Sequence, residues 1–188
     1  MKQASEHPFP ETFETERLIL RKWEATDAED LYRYASDELV GPAAGWPAHK
    51  SVSESAQTIR GVLSNAGTYA VTLKETGEPI GSVGLTTAPF GEVGDLELGY
   101  WIAAPHWGNG YVGEASSVLI RYAFEQLRCP VVWCGAYEEN TKSRRAQEKL
   151  GFKFDRVVSG HPVPLLDTTK TLIVTRMTRE DWEAENGS

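Results

Sequence analysis

The amino-acid order predicts a single mixed α/β domain, a sheet with strands of both directions and helices packed against it. Two features carry that expectation. Apolar runs at 69–73 and 80–86 are separated only by a turn through Thr76 and Gly77, and so short a connection demands antiparallel pairing. Elsewhere strand-like and helix-like patterns alternate, with a glycine-rich junction at 104–115 between an apolar run and a long helical stretch. The expected order is β-α-α-β-β-β-α-β-α-β-β, about seven strands flanked by about four helices.

Each element has a local reason. Residues 1–14 are polar, carry Pro8 and Pro10, and read as a flexible arm ahead of one domain over 15–188. The run at 17–23 reads as the first strand. Thr26 and Glu29 make a capping-box pattern that opens a helix through Leu31, Tyr34 and Ala35; Ser51 and Glu54 open a second, ended by Gly67. Residues 41–50, with Trp46-Pro47, form a loop between them. After the hairpin, a turn at 89–94 leads to the apolar run 96–103. The long helix then extends to about residue 127. A β-rich run at 131–137 follows, with a short helix at 140–150 ended by Gly151. Strands at 152–158 and 172–177 flank a proline-bearing loop at 161–169.

A chain of 188 residues buries an adequate core without disulfides or metals. The net charge of −8 argues against a nucleic-acid surface and favours basic or amine-bearing partners. Cys129 and Cys134 match no zinc, redox or disulfide spacing and read as reduced, buried hydrophobes. No histidine pair has metal spacing, so no metal is expected. The first ten residues hold no apolar stretch of signal-peptide length, and no later run is long enough to span a bilayer. A cytoplasmic protein without membrane or nucleic-acid partners is the expectation.

The junction carries the chemistry. Gly108, Gly110 and Gly113 let the backbone turn tightly and approach a ligand without obstruction. The helix that begins there adds unpaired N–H groups and the positive end of its dipole, a seat for phosphate or pyrophosphate. Taken literally, Gly108 to Gly113 matches the dinucleotide fingerprint G-x-G-x-x-G, with Glu138 and Glu139 downstream where a ribose-binding acid belongs. The context disagrees. Pro105-His106-Trp107 separates the glycines from their strand, the preceding strands are joined by tight turns, and too little chain remains for a doubly wound sheet. A nucleoside-triphosphate loop fares worse, because no Lys-Ser/Thr pair follows the glycines.

Several ordered motifs carry a resemblance. Residues 97–115 (Glu-Leu-Gly-Tyr-Trp-Ile-Ala-Ala-Pro-His-Trp-Gly-Asn-Gly-Tyr-Val-Gly-Glu-Ala), then Asn140-Thr-Lys-Ser143 and Glu148-Lys-Leu-Gly-Phe152, resemble the GNAT superfamily of acetyltransferases. More narrowly, together with Thr15–Arg21, Gly45–Ser51 and Thr178–Trp182, they are similar to its RimJ/RimL-type ribosomal-protein N-acetyltransferases. The resemblance implies the GNAT fold, acetyl-CoA as co-substrate and an amine acceptor, either a protein N-terminus or a small amine. It implies that Trp107, Gly108, Asn109, Gly110, Tyr111, Val112 and Gly113 hold the pyrophosphate. The arm of the coenzyme then lies in a splay between strands 96–103 and 131–137, beside the backbone of Tyr100, Trp101 and Ile102. Asn140 bonds that arm, although Asn at this position equally reads as the helix N-cap. Lys142, Arg144 and Arg145 either reach toward the 3′-phosphate or form an ordinary solvated face. Val112 and Gly113 stand where the group usually has Ala and Thr.

For the transfer itself, Glu97 interrupts an apolar strand and is the candidate base; the bland reading is an exposed carboxylate. Ser143 is the candidate for steadying the leaving thiolate, or else a surface or capping serine. The superfamily often places a tyrosine acid at the position of Gln147, which cannot donate a proton in that way. Trp46 and His49 lie in the loop that the group uses to line its acceptor side, although Trp46 equally suits a plug between two helices. A non-catalytic acyl-CoA-binding protein is the rival reading. The state of assembly is monomer or homodimer.

Overall fold

The structure, a computed structural model, describes residues 9–186. One sheet of eight strands organises them: β1 (Thr12–Glu14), β2 (Leu18–Arg21), β3 (Thr68–Leu73), β4 (Pro79–Thr87), β5 (Leu96–Ile102), β6 (Val131–Tyr137), β7 (Lys153–Val163) and β8 (Thr168–Thr178). They lie in the order β1-β2-β3-β4-β5-β6-β8-β7. Neighbours are antiparallel except β5 and β6, which run parallel because α4 (Tyr111–Glu125) crosses over between them. The other helices are α1 (Ala28–Ala35), α2 (Gly41–Ala44), α3 (Val52–Arg60), α5 (Thr141–Lys149) and α6 (Arg179–Asn186).

The mixed α/β class is the one the sequence predicts; three small elements exceed the expected count. β1 falls within the expected arm, pairing Phe13 with Leu20 while its ring meets Tyr69 and Tyr122 edge-on at 5.2 Å. Three residues carry no readable period, which is why the strand is invisible in sequence. Residues 1–8 of that arm lie outside the described residues. α2, with Pro42 in its first turn, lies in the expected loop, and α6 lies in the charged tail, where Trp182 stacks on Phe124 at 5.6 Å. The loop expected at 161–169 shrinks to a 3-10 turn at Pro164–Leu166, because β7 and β8 extend toward each other.

Helix boundaries shift for identifiable reasons. The first capping box closes two residues earlier than expected: the Glu24 N–H donates to Asp27 Oδ2 at 2.8 Å, and a 3-10 turn at Ala25–Asp27 precedes α1. Arg21 grips both Asp27 oxygens, at 2.7 and 2.8 Å. The second box forms as read, with the Glu54 N–H donating to Ser51 Oγ at 3.1 Å. Gly61, not Gly67, ends α3. Gly67 instead lies against β4, where a Cβ would overlap the Leu85 carbonyl.

The main core lies between the sheet and α4. Leu18, Val71, Val83, Leu98, Leu119 and Phe124 are all at most 1% exposed there, and each large apolar side chain contributes roughly 1.5–3 kcal/mol by leaving water. A second core under α1 and α3 gathers Trp23, Leu31, Ala35, Ile59 and Ala70. The sheet is thus covered on both faces, and the parallel junction of β5 and β6 sits at its middle.

Candidate active site

β5 and β6 pair only at Leu96↔Val132 and Glu97↔Trp133. Beyond those positions each follows its other neighbour. β5 stays in register with β4 up to Ile102↔Gly81, and β6 with β8 up to Tyr137↔Leu172. The sheet therefore opens into a cleft of about 1000 Å³. Cys134 Sγ donates to the Leu98 carbonyl at 3.2 Å, so that carbonyl faces the gap. With a period of two, the N–H and C=O of Tyr100 face it too, whereas those of Trp101 turn to β4. The Ile102 carbonyl already accepts from the Trp107 indole at 2.7 Å. Of the three backbone positions expected to serve a ligand, Tyr100 alone offers both groups.

The glycine turn closes one end of the cleft. Gly108 and Gly110 adopt φ of 81° and 80°, in the left-handed region, and Gly110 is the residue before the first turn of α4. No side chain among the described residues caps that helix start, leaving its first N–H groups facing outward. Gly113 has ordinary helical backbone, and a Cβ there meets open space. Trp107, Gly108, Gly110, Tyr111, Val112 and Gly113 all line the cleft. Asn109 does not; its Nδ2 donates back to the His106 carbonyl at 3.1 Å and shapes the turn. An anion-binding helix end beside unpaired strand edge fits the pyrophosphate and amide-rich arm of a coenzyme A.

Glu114, also in the first turn of α4, ties this end to the start of the domain. It accepts from the Arg17 N–H and guanidinium, both at 2.7 Å, and from the Thr15 hydroxyl. Burial pushes its pKa up, but these hydrogen bonds outweigh that and hold it below the usual carboxylate range.

Across the gap, α5 supplies the opposite wall. Asn140 caps it, Oδ1 accepting from the Ser143 N–H at 3.1 Å while Nδ2 donates to the Ala43 carbonyl at 3.1 Å. Both readings of Asn140 meet here, since it caps the helix and lines the cleft. Lys142 and Arg145 line the cleft as well, with Lys142 Nζ 3.5 Å from the Trp107 ring centre. Arg144 turns away to donate to the Glu138 carbonyl at 3.4 Å, and Lys149, which sequence reasoning missed, joins the lining.

Ser143 is held by two partners from distant segments. The Tyr100 hydroxyl lies 2.9 Å from Ser143 Oγ, and Gln147 Nε2 donates to the same oxygen at 3.3 Å. The Gln147 amide has one workable orientation, because Nε2 also donates to the Gly135 carbonyl while Oε1 accepts from Thr175 Oγ1 at 2.8 Å. Burial raises the Tyr100 pKa, so the phenol stays protonated. Glu97 lines the cleft on the opposite strand, and its carboxylate makes no hydrogen bond or ion pair to any described residue. Burial alone pushes its pKa up.

A second cavity, of about 500 Å³, lies under the α1–α3 side of the sheet. Trp46 and His49 line it, as does Leu165 from the turn between β7 and β8. The two cavities share Ala44, Gly99, Tyr100 and Trp101, and Gly99 leaves open space where a side chain would stand. Trp46 also meets the Trp101 ring edge-on at 5.8 Å, so pocket wall and packing are one role. Among the described residues no group of His, Cys, Asp or Glu is arranged to hold a metal, and no helix is long and apolar enough to cross a membrane.

Comparison with known proteins agrees with this geometry. The family described as "Acetyltransferase (GNAT) domain" matches residues 17–153. "Uncharacterized N-acetyltransferase p20" of Bacillus licheniformis is 34% identical over 148 residues, which is 76% of this chain and 83% of that protein. Among solved structures, a GNAT-family acetyltransferase from Bacillus anthracis superposes with a TM-score of 0.78 at 22% identity, over 90% of this chain and 99% of the other. A GCN5-related N-acetyltransferase from Brucella melitensis gives a TM-score of 0.80 at 21% identity, over 98% and 86%. These two share the fold. From the matched family domain, the p20 relative and the opened sheet beside its glycine turn, it follows that the chain belongs to the GNAT acetyltransferase family.

Proposed function

We propose that this acyl-CoA-dependent acetyltransferase moves an acetyl group from acetyl-CoA directly to a primary amine, with no acyl-enzyme. The observation that carries the reading is the parting of β5 from β6 immediately after Glu97, next to an uncapped glycine helix start. Acetyl-CoA, when bound, supplies the activated acyl group as a thioester. The helix start at Gly110 to Gly113 holds its diphosphate, the Tyr100 backbone and Asn140 meet its arm, and Lys142 and Arg145 offer positive charge.

Glu97 takes the proton that the acceptor ammonium must lose before the free amine attacks the thioester, directly or through a water. Its raised pKa brings it closer to that of an amine, which improves a base as long as the group stays ionised at working pH. Ser143 donates to the departing thiolate. Its oxygen accepts from Gln147, whose amide can only donate there, and lies 2.9 Å from the Tyr100 hydroxyl, where either oxygen can be the donor; with the Tyr100 proton on Ser143 Oγ, the serine proton points into the cleft. In this chain Gln147 therefore works through Ser143 rather than as an acid itself. The RimJ/RimL resemblance favours a peptide N-terminal amine as acceptor, with small amines the other source.

Release of free thiol from acetyl-CoA, followed across peptides and small amines, tests the reading. Glu97→Gln should keep coenzyme binding and lose turnover. Coenzyme binding without thiol release from any amine would instead mark a binding protein.

A further inference from the structure

The smaller cavity has a composition that selects among amines. Its walls are Trp46, Leu63, Trp101 and Leu165, with Thr58 and His49 between them. The aromatic wall is braced from behind, since Trp23 stacks on Trp101 at 6.4 Å with the rings 19° apart. Trp23 is itself fixed by donating from Nε1 to Ser82 Oγ at 3.2 Å. Among the described residues, no Lys or Arg lines this cavity, and Glu54 is its one carboxylate. Nor does His49 supply positive charge, because burial lowers its pKa and Nδ1 is engaged 2.7 Å from Ser55 Oγ. The cationic side chains Lys142, Arg145 and Lys149 all lie in the other cavity, on the coenzyme side.

A carboxylate carried into such a pocket would lose its hydration and find no cation. An apolar or aromatic group would find flat indole surface, and an ammonium would be drawn by Glu54 at entry. Glu97 lines the larger cavity and lies two positions along β5, on the same face, from Gly99, which lines both and marks the seam between them. An amine placed at that seam leaves its side group in the smaller cavity, and a carboxylate on the amine-bearing carbon would stand at the mouth of that cavity beside the Glu97 carboxylate, with no cation in the smaller cavity to meet it.

Resting on the acetyl-transfer reading above, we propose that this cavity is the selectivity pocket of the enzyme. It accepts primary amines bearing an aromatic or branched apolar group and rejects those with a carboxylate on the amine-bearing carbon. That chemistry belongs equally to an arylalkylamine and to a peptide whose first residue is apolar.

The test compares phenethylamine, phenylalaninamide, phenylalanine and two tetrapeptide amides beginning with Phe or Ser. kcat/KM comes from thiol release, and binding from quenching of tryptophan fluorescence in the presence of coenzyme A. Phenethylamine and phenylalaninamide should each exceed phenylalanine at least tenfold in kcat/KM, and the Phe peptide should exceed the Ser peptide. Whether phenethylamine or the Phe peptide is the better substrate assigns the source, and either result supports the pocket. Leu165→Lys places a cation at the rim from a 70% exposed position that the fold tolerates, and should cut the preference over phenylalanine to under threefold. Phenylalanine used as well as its amide, or a preference unmoved by Leu165→Lys, overturns the proposal. If no amine is acetylated, the fluorescence still decides: tighter binding of phenethylamine than of phenylalanine upholds the pocket while the transfer reading fails, and equal or absent binding overturns both.

Discussion

The hydroxyl of Tyr100, on β5, lies 2.9 Å from Oγ of Ser143, on α5, spanning the gap where the two parallel strands have parted. With Gln147 donating to the same oxygen and Tyr100 donating from its phenol, the serine proton is turned toward the cleft. Tyr100→Phe and Gln147→Leu should therefore resemble Ser143→Ala. Each is expected to lower kcat by about 100- to 1000-fold, the scale of losing one aligned donor, with the KM of acetyl-CoA within about threefold. Double variants should lose no more than Ser143→Ala alone. Additive losses would show that the three side chains do not act as a unit.

Glu97 links pH, activity and stability. Its pKa in the folded chain is raised, so the protonated form is the one the fold favours. The sign follows: stability is fully present below the ordinary carboxylate value and falls as pH rises through the folded-state value. Glu97→Gln should abolish the base and also raise Tm at pH 8 by about 2–4 °C, the shift that about 1 kcal/mol produces at this size. At pH 4 the two proteins should melt together. The wild-type kcat/KM should decline on the acid side at a pH above the usual carboxylate range, and Glu97→Asp should retain that limb.

Two glycines of the same turn should respond in opposite ways. Gly110 sits at φ 80° with only Arg17 Nη2 within 4 Å of a built Cβ, so Gly110→Ala suffers from backbone conformation rather than collision. A loss of about 1–2 kcal/mol is expected, with coenzyme A affinity weakened about tenfold as the turn distorts. Gly113→Ala lies in helical backbone facing open space. It should gain about 0.5–1 kcal/mol and leave affinity unchanged. Thermal melts with and without coenzyme A read both quantities.

Asp27 holds the entry to the first helix. It accepts from Arg21 through both oxygens and from the Glu24 N–H, and it is 5% exposed. Asp27→Asn leaves the half-buried guanidinium without its charge partner and should cost about 2–3 kcal/mol in urea unfolding. Coenzyme binding, on the far side of the sheet, should persist below the new transition.

Short-range physics was readable from residue order. The run 131–137 coincides with β6, Ser51 and Glu54 form their capping box, and Gly108 and Gly110 adopt the positive φ of a tight glycine turn. Each depends on neighbours within a few positions, so local periodicity and turn chemistry reveal it. Glu97 in mid-strand was equally visible as an anomaly, although its burial was not.

Distance in the chain hid the rest. The cluster of Tyr100, Ser143, Gln147 and Thr175 draws on β5, α5 and β8. The wall of the smaller cavity unites Trp46, Trp101 and Leu165. No period or spacing encodes such meetings, because they arise from strand register and from where β5 and β6 cease to pair. β1 and α2 escaped for a related reason: at three and four residues their stability comes from packing partners far along the chain.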